Sequence, residues 1–137
     1  MALICDTGGV FALYDADDAH HAAVAAAVEA EPGPLFLPVL LLTEIDYLLT
    51  TRLRPAAALD FLESIEQGTF TVVPLASDDL ADCRSWMKQY EDLALGLADA
   101  SVVVVAERLL LNRLLTLDER HFRTIRPRRF DHFVRIR

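Results

Sequence analysis

Four acids stand against apolar surroundings in this 137-residue chain: Asp6 closes MALIC, Glu44 separates PVLLLT from IDYLL, Asp99 precedes ASVVVVA, and Asp118 ends RLLTL. An ionised carboxylate beside apolar surface is costly unless a cation, donors or water compensate it. Brought together, the four would line a hard oxygen pocket suited to Mg²⁺ or Mn²⁺, and an ion so held suits the cleavage of phosphodiester bonds. Each acid also has a local explanation. Asp6 in DTGG can close a turn onto the backbone ahead, Asp99 can cap the helix that starts at Ala100, and Asp118 can cap the turn over Glu119 to Phe122. Glu44 resists this treatment, because Leu40, Leu41, Ile45, Leu48 and Leu49 share much of its face at helical spacing. A half-buried carboxylate in need of a partner is expected there. Asp46 points away from that face, and Asp92 is assigned to the surface.

Other catalytic chemistry is sparse. His20 and His21 fall in an alanine-rich helix and read as exposed, while His121 and His132 stand alone among arginines and aromatics. None has the spacing of a zinc site. No GxSxG elbow, GxxxxGK phosphate loop or GxGxxG turn is present. Cys5 and Cys83 read as reduced core thiols, not as a bridge, a zinc site or a nucleophile.

With 53% hydrophobic and 25% charged residues there is material for a core and for a soluble surface, so disorder is not expected. The most apolar region, residues 93–117, is broken by Asp99, Glu107, Arg108 and Arg113, which argues against a membrane span. The start ALIC lacks a preceding cationic segment and does not read as a signal peptide. A cytoplasmic protein is the expectation. The net charge of -8 argues against gripping nucleic acid through overall basicity. Charge is uneven, however: residues 1–68 carry 11 acids and two bases, and seven arginines fall from Arg120 to Arg137 with Asp131 the sole acid among them. That stretch could hold a phosphate backbone, meet an acidic partner or simply be solvated.

The acids can meet only if the chain folds to bring them to one place. Short apolar strands alternate with helical patterns over residues 1–137, which predicts a single α/β domain with a central, mostly parallel sheet of four to five strands flanked by helices. Residues 2–6 read as the first strand. Gly8 and Gly9 allow a tight turn into a short helix, and Asp17 or Asp18 caps a helix to Ala30. Leu35 to Leu37 is a second strand, Pro38 begins a helix to Leu53, and Pro55 begins another to Gln67. TFTVVP (69–74) is the third strand. Ser77 caps a helix to Glu91, a further helix spans 97–111, RLLT is the fourth strand, and FVRI is an edge strand. In such sheets ligands collect beyond the carboxyl ends of the strands. Asp6 and Asp118 lie there, Asp99 starts a helix entered from that edge, and Glu44 reaches it if its helix leans over.

The segments LICDTGGVFALYDADDAHHAA, PVLLLTEIDYLL, DLALGLADASVVVVAERL and LLTLDERHF, in this order and spacing, closely resemble the PIN-domain ribonucleases, especially the VapC-type toxins of bacterial toxin–antitoxin pairs. The resemblance implies that Asp6, Glu44, Asp99 and Asp118 bind one or two Mg²⁺ or Mn²⁺ ions. Asp6 and Asp99 would be the primary ligands, with Glu44 and Asp118 completing the shell or orienting the attacking water. Thr7 and Thr116 match hydroxyl positions that support the site. Gly9 departs from the family pattern, which has a hydrophobic residue after the first small one, and is expected to alter the local turn. The implied activity is an endoribonuclease that cleaves RNA in line and leaves a 5′-phosphate, with Arg120 or Arg123 positioning the RNA. Implied partners are a small antitoxin protein and a second copy of the chain, for which the helix pair from Val39 to Phe61 is either the interface or simply core. Two other readings stay open: a PIN-domain RNA-processing nuclease outside toxin–antitoxin systems, and a non-catalytic module that binds RNA or protein.

Overall fold

The alternation of apolar segments and helices produces a five-stranded sheet in which every pairing is parallel. The computed structural model describes residues 1–136, so Arg137 lies outside the described residues. Strands β1 (Leu3–Cys5), β2 (Leu35–Pro38), β3 (Thr71–Val73), β4 (Arg113–Leu115) and β5 (Val134–Ile136) are arranged in the order β3-β2-β1-β4-β5. Leu3 pairs with Leu35 and Cys5 with Leu115, which puts β1 at the centre. Its three residues LIC are fully buried, as a parallel strand covered on both faces requires. The FVRI segment supplies the edge strand β5.

Seven α-helices cover the sheet among the described residues: α1 (Thr7–Tyr14), α2 (His21–Ala30), α3 (Leu42–Leu48), α4 (Pro55–Glu66), α5 (Ser77–Gln89), α6 (Leu97–Leu109) and α7 (Glu119–Thr124). The central helix is α6, in which every residue from Ala100 to Ala106 is buried. Its run of four valines has poor intrinsic helix propensity, and burial on the sheet outweighs that deficit. Phe61 of α4 is fully buried and meets Tyr14 and Phe70 edge to face, at 5.9 and 5.8 Å between ring centres. Burying such a ring contributes roughly 1.5–3 kcal/mol, enough to hold α4 against the sheet.

Several local expectations are corrected. Gly8 and Gly9 lie inside α1 rather than in a turn before it, and Gly9 packs its bare Cα against the backbone of Leu115. Neither Asp17 nor Asp18 caps α2: the Asp18 carboxylate accepts the His20 amide at 2.7 Å, and His20 occupies the cap position. Asp18 is spent on a turn one step too early. Pro38 ends β2, and the chain continues as a 3-10 turn (Val39–Leu41), α3, and a π-helical turn (Leu49–Leu53), not as one uniform helix. At the start of α5 the cap position is Ala76, whose amide is taken by the Asp79 carboxylate at 2.9 Å; Ser77 is already helical. Leu110, at φ 54, ends α6 before Leu111.

Candidate metal centre

Parallel pairing makes the carboxyl ends of β1 and β4 neighbours, and Asp6 and Thr116 are the first residues beyond those ends. The Cys5–Leu115 register, continued by Asp6 N–H donating to Leu115 O at 3.0 Å, sets Asp6 beside Thr116. Thr116 Oγ1 donates to Asp6 Oδ2 at 2.9 Å and accepts the Asp118 amide at 3.0 Å. One hydroxyl thus links two acids. Asp118 in turn begins α7 as its cap, with Oδ1 accepting the His121 amide at 3.0 Å. The helix that precedes a parallel strand runs back across the sheet, so the N-terminus of α6 comes to the same edge as the end of β4. Asp99, in the first turn of α6, is delivered there.

Asp99, Asp118 and His121 each present one ligand atom such that the three atoms lie within 4.8 Å of one another. His121 Nδ1 stands 2.7 Å from Asp118 Oδ2 and 3.4 Å from Asp99 Oδ2. Asp6 lies behind this triangle, buried at 6% exposure, and its carboxyl is pushed up to about 6. Burial is the main cause; the Thr116 hydroxyl and the Thr7 amide oppose it, and the charges of Asp99 and Asp118 reinforce it. The Asp99 carboxyl is raised too, first by burial, then held back by His121 and pushed further by Asp118 and Glu44. Of the four sequence-selected acids, Asp99 and Asp118 join the close triangle; Asp6 and Glu44 stand outside it, Asp6 within the influence of both charges and Glu44 within that of Asp99.

Glu44 is placed differently from expectation. It is exposed, not half-buried, because Leu41, Ile45 and Leu49 carry the buried stripe and Glu44 falls one step off it. Its charge reaches Asp99 from the solvent side. His121 is the residue that sequence reasoning missed. Read as a lone histidine among arginines, it is instead bonded to Asp118 at i,i+3 on α7, with Nε2 donating to Leu93 O at 3.2 Å. The spacing Asp-x-x-His at a helix start was the available signal. Asp92 is exposed on the 3-10 turn Glu91–Leu93, as assigned. His20 is exposed, whereas His21 is partly covered and its Nδ1 meets Ala12 O at 2.8 Å.

Two observations bear on whether a divalent cation suits these residues. The donor set is hard carboxylate oxygen with one imidazole, gathered without an Arg or Lys ion pair to any of its members among those described. Thr7 Oγ1, next to Asp6 and buried, has no hydrogen-bond partner among the described residues. A buried orphan hydroxyl costs on the order of 1–3 kcal/mol unless an ion, a water or a substrate oxygen engages it. The residues fit a cation. Cys5, adjacent in sequence, does not join them: burial, with help from the Asp6 charge, pushes its thiol up to about 12. It is a core residue, like buried Cys83.

The arginine-rich end is divided: α7 starts at this edge with Asp118 as its cap, whereas Arg128 and Arg129 pack by Glu107, at the other end of α6 from Asp99. Arg120 and Arg123 of α7 are exposed, as are Arg126, Arg128 and Arg129. No helix among the described residues is long and apolar enough to cross a membrane.

Comparison with known proteins gives a consistent result. The family model for the PIN domain matches residues 3–126. Ribonuclease VapC26 of Mycobacterium tuberculosis is 32% identical over 125 residues, covering 91% of this chain and 93% of that protein. Among solved structures, VapC20 of Mycobacterium tuberculosis, a Sarcin-Ricin loop cleaving toxin, superposes with a TM-score of 0.78 at 21% identity, over 85% of this chain and 89% of the other. FitAcB from Neisseria gonorrhoeae superposes at TM-score 0.62 and 18% identity, over 87% and 88% of the two chains.

Proposed function

Because the chain belongs to the PIN-domain family as a VapC-type member, we propose that it is a divalent-metal-dependent endoribonuclease acting as the toxin of a toxin–antitoxin pair. The observation that carries this reading is the meeting of Asp99 and Asp118 in one triangle of ligand atoms, with Asp6 buried behind it, at the carboxyl edge of the sheet. Asp6, Asp99 and Asp118 would hold the ion, with Glu44 supplying charge from the solvent side. A bound Mg²⁺ or Mn²⁺ supplies charge neutralisation at the phosphate and makes water a better nucleophile.

The chain's own residues do the rest. Thr116 fixes Asp6 and the start of α7 together, so the acids are held before substrate arrives. Arg120 and Arg123, exposed on the helix that Asp118 caps, would pair with RNA phosphates. An acidic chain of net charge -8 needs such a local cationic strip to approach RNA at all. The proposed partners are a cognate antitoxin and a second copy of the chain. Support for the latter is the outer face of α3 and α4, where Tyr47, Leu59 and Leu62 are 64%, 66% and 44% exposed while the inner face is core.

The test is cleavage of RNA by the purified chain. Product should form with Mg²⁺ or Mn²⁺, stop with EDTA, and fall below detection in Asp6→Ala and Asp99→Ala variants that keep the wild-type circular dichroism. Cleavage that survives both substitutions would overturn the reading; RNA binding without cleavage or metal uptake would favour a binding module.

A further inference from the structure

His121 faces hydrogen-bond acceptors from both of its ring nitrogens. Nε2 lies 3.2 Å from Leu93 O, and a carbonyl can only accept, so Nε2 carries a proton. Nδ1 stands 2.7 Å from Asp118 Oδ2, a hydrogen bond in the metal-free protein, and 3.4 Å from Asp99 Oδ2. The three ligand atoms lie within 4.8 Å of one another, so a divalent cation that takes the place of the Nδ1 proton is met by all three side chains. In an octahedral shell with bonds of about 2.1–2.2 Å, neighbouring donors are about 3 Å apart, and the two observed separations straddle that value. An imidazole whose far N–H is anchored on a backbone carbonyl is the usual arrangement of a metal-ligating histidine.

Resting on the metal-centre reading above, we propose that His121 is a direct nitrogen ligand of the ion, added to the shell made by Asp6, Asp99 and Asp118, and that the site therefore selects a transition ion such as Mn²⁺ over Mg²⁺. Mg²⁺ takes oxygen donors and keeps its waters, and gains little from an imidazole. Mn²⁺ and the later divalent ions accept nitrogen readily. The residue is thus a specificity determinant for the cofactor, set by one position on α7.

Electron spin-echo envelope modulation of the tag-free protein loaded with Mn²⁺ reads the proposed bond directly. A ¹⁴N coupling of a coordinated imidazole is expected in the wild type and in a His20→Gln, His21→Gln, His132→Gln triple variant, which retains His121 as the sole histidine. It should vanish in His121→Gln, whose Mn²⁺ affinity by calorimetry should fall about tenfold or more while Mg²⁺ affinity changes far less. Bound Mn²⁺ without ¹⁴N coupling in the wild type or the triple variant would overturn the proposal and leave the metal centre standing. So would a coupling that persists in His121→Gln. A wild-type chain that takes up no Mn²⁺ would overturn both readings.

Discussion

Thr116 and Asp6, 110 residues apart in the chain, are joined by a buried hydrogen bond of 2.9 Å from the threonine hydroxyl to Asp6 Oδ2. The same hydroxyl accepts the Asp118 amide at 3.0 Å, so it sets the spacing between the β1 acid and the start of α7. Valine at this position keeps the shape and removes both bonds. Thr116→Val is expected to lower stability by about 1–3 kcal/mol and to weaken Mn²⁺ binding roughly 10–100-fold. Thr116→Ser should restore most of the affinity. Calorimetric titration of the three proteins checks this, and equal affinities would show that the hydroxyl does not organise the site.

Asp6 makes the metal-free protein sensitive to pH in a defined direction. Its carboxyl is raised from 3.8 to about 6, chiefly by burial. The folded state therefore prefers the protonated form, and the stability this gives is complete below about pH 4 and lost as pH rises through about 6. Asp6→Asn removes the burden. In EDTA the variant should be more stable than wild type at pH 8, by an amount on the order of 3 kcal/mol, and nearly equal to it at pH 3.5. Urea unfolding at the two pH values measures the difference. A constant gap across the range would refute the assignment to Asp6.

How much of this was legible before folding depends on which interaction decided each feature. Asp6, Asp99 and Asp118 could be placed because strand order and the carboxyl-edge rule deliver acids at strand ends and helix starts without knowledge of side-chain packing. Glu44 could not. Leu41, Ile45 and Leu49 carry the buried stripe of this segment at i,i+4 spacing, and Glu44 falls one step off it, a difference that its apolar neighbours in sequence do not reveal. His121 was half legible: the Asp-x-x-His spacing signals its contact with Asp118, but the anchor of its far nitrogen, Leu93 O, lies 28 residues away in the chain. The valines of α6 were read as helix as part of the segment 97–111, which exceeds the length of an ordinary strand. The glycine pair was misread as a turn because the need for Gly9 is tertiary.

That tertiary need is specific. A Cβ on Gly9 would stand 2.6 Å from Leu115 O and 3.1 Å from Leu115 C, against strand backbone that cannot yield. The same atom on Gly8 would find only Leu117 Cβ, at 3.8 Å. Gly9→Ala should destabilise the protein by about 1–3 kcal/mol or more through overpacking. Gly8→Ala should be neutral or stabilising by up to about 1 kcal/mol, because alanine favours the helix. Paired denaturation midpoints decide it, and similar losses in both variants would mean that helix entry, not strand contact, sets the requirement.

The basic C-terminal segment is held largely through its main chain, with the Arg128 side chain laid on a ring as well. The Glu107 carboxylate on α6 accepts the amides of Arg128 and Arg129, the Arg126 amide donates to Tyr90 Oη at 2.7 Å, and the Arg128 guanidinium lies 4.3 Å from the Trp86 ring centre. One acid thereby supplies the partner of two successive main-chain amides ahead of β5. Glu107→Ala should free this segment, with a stability loss of about 1–2 kcal/mol tempered by solvent access. Hydrogen exchange read by mass spectrometry should show faster exchange across residues 126–136, while Mn²⁺ binding at the Asp99–Asp118 edge stays within a fewfold of wild type. Unchanged protection there would mean that the Phe122, Phe130 and Phe133 ring cluster alone anchors the end of the chain.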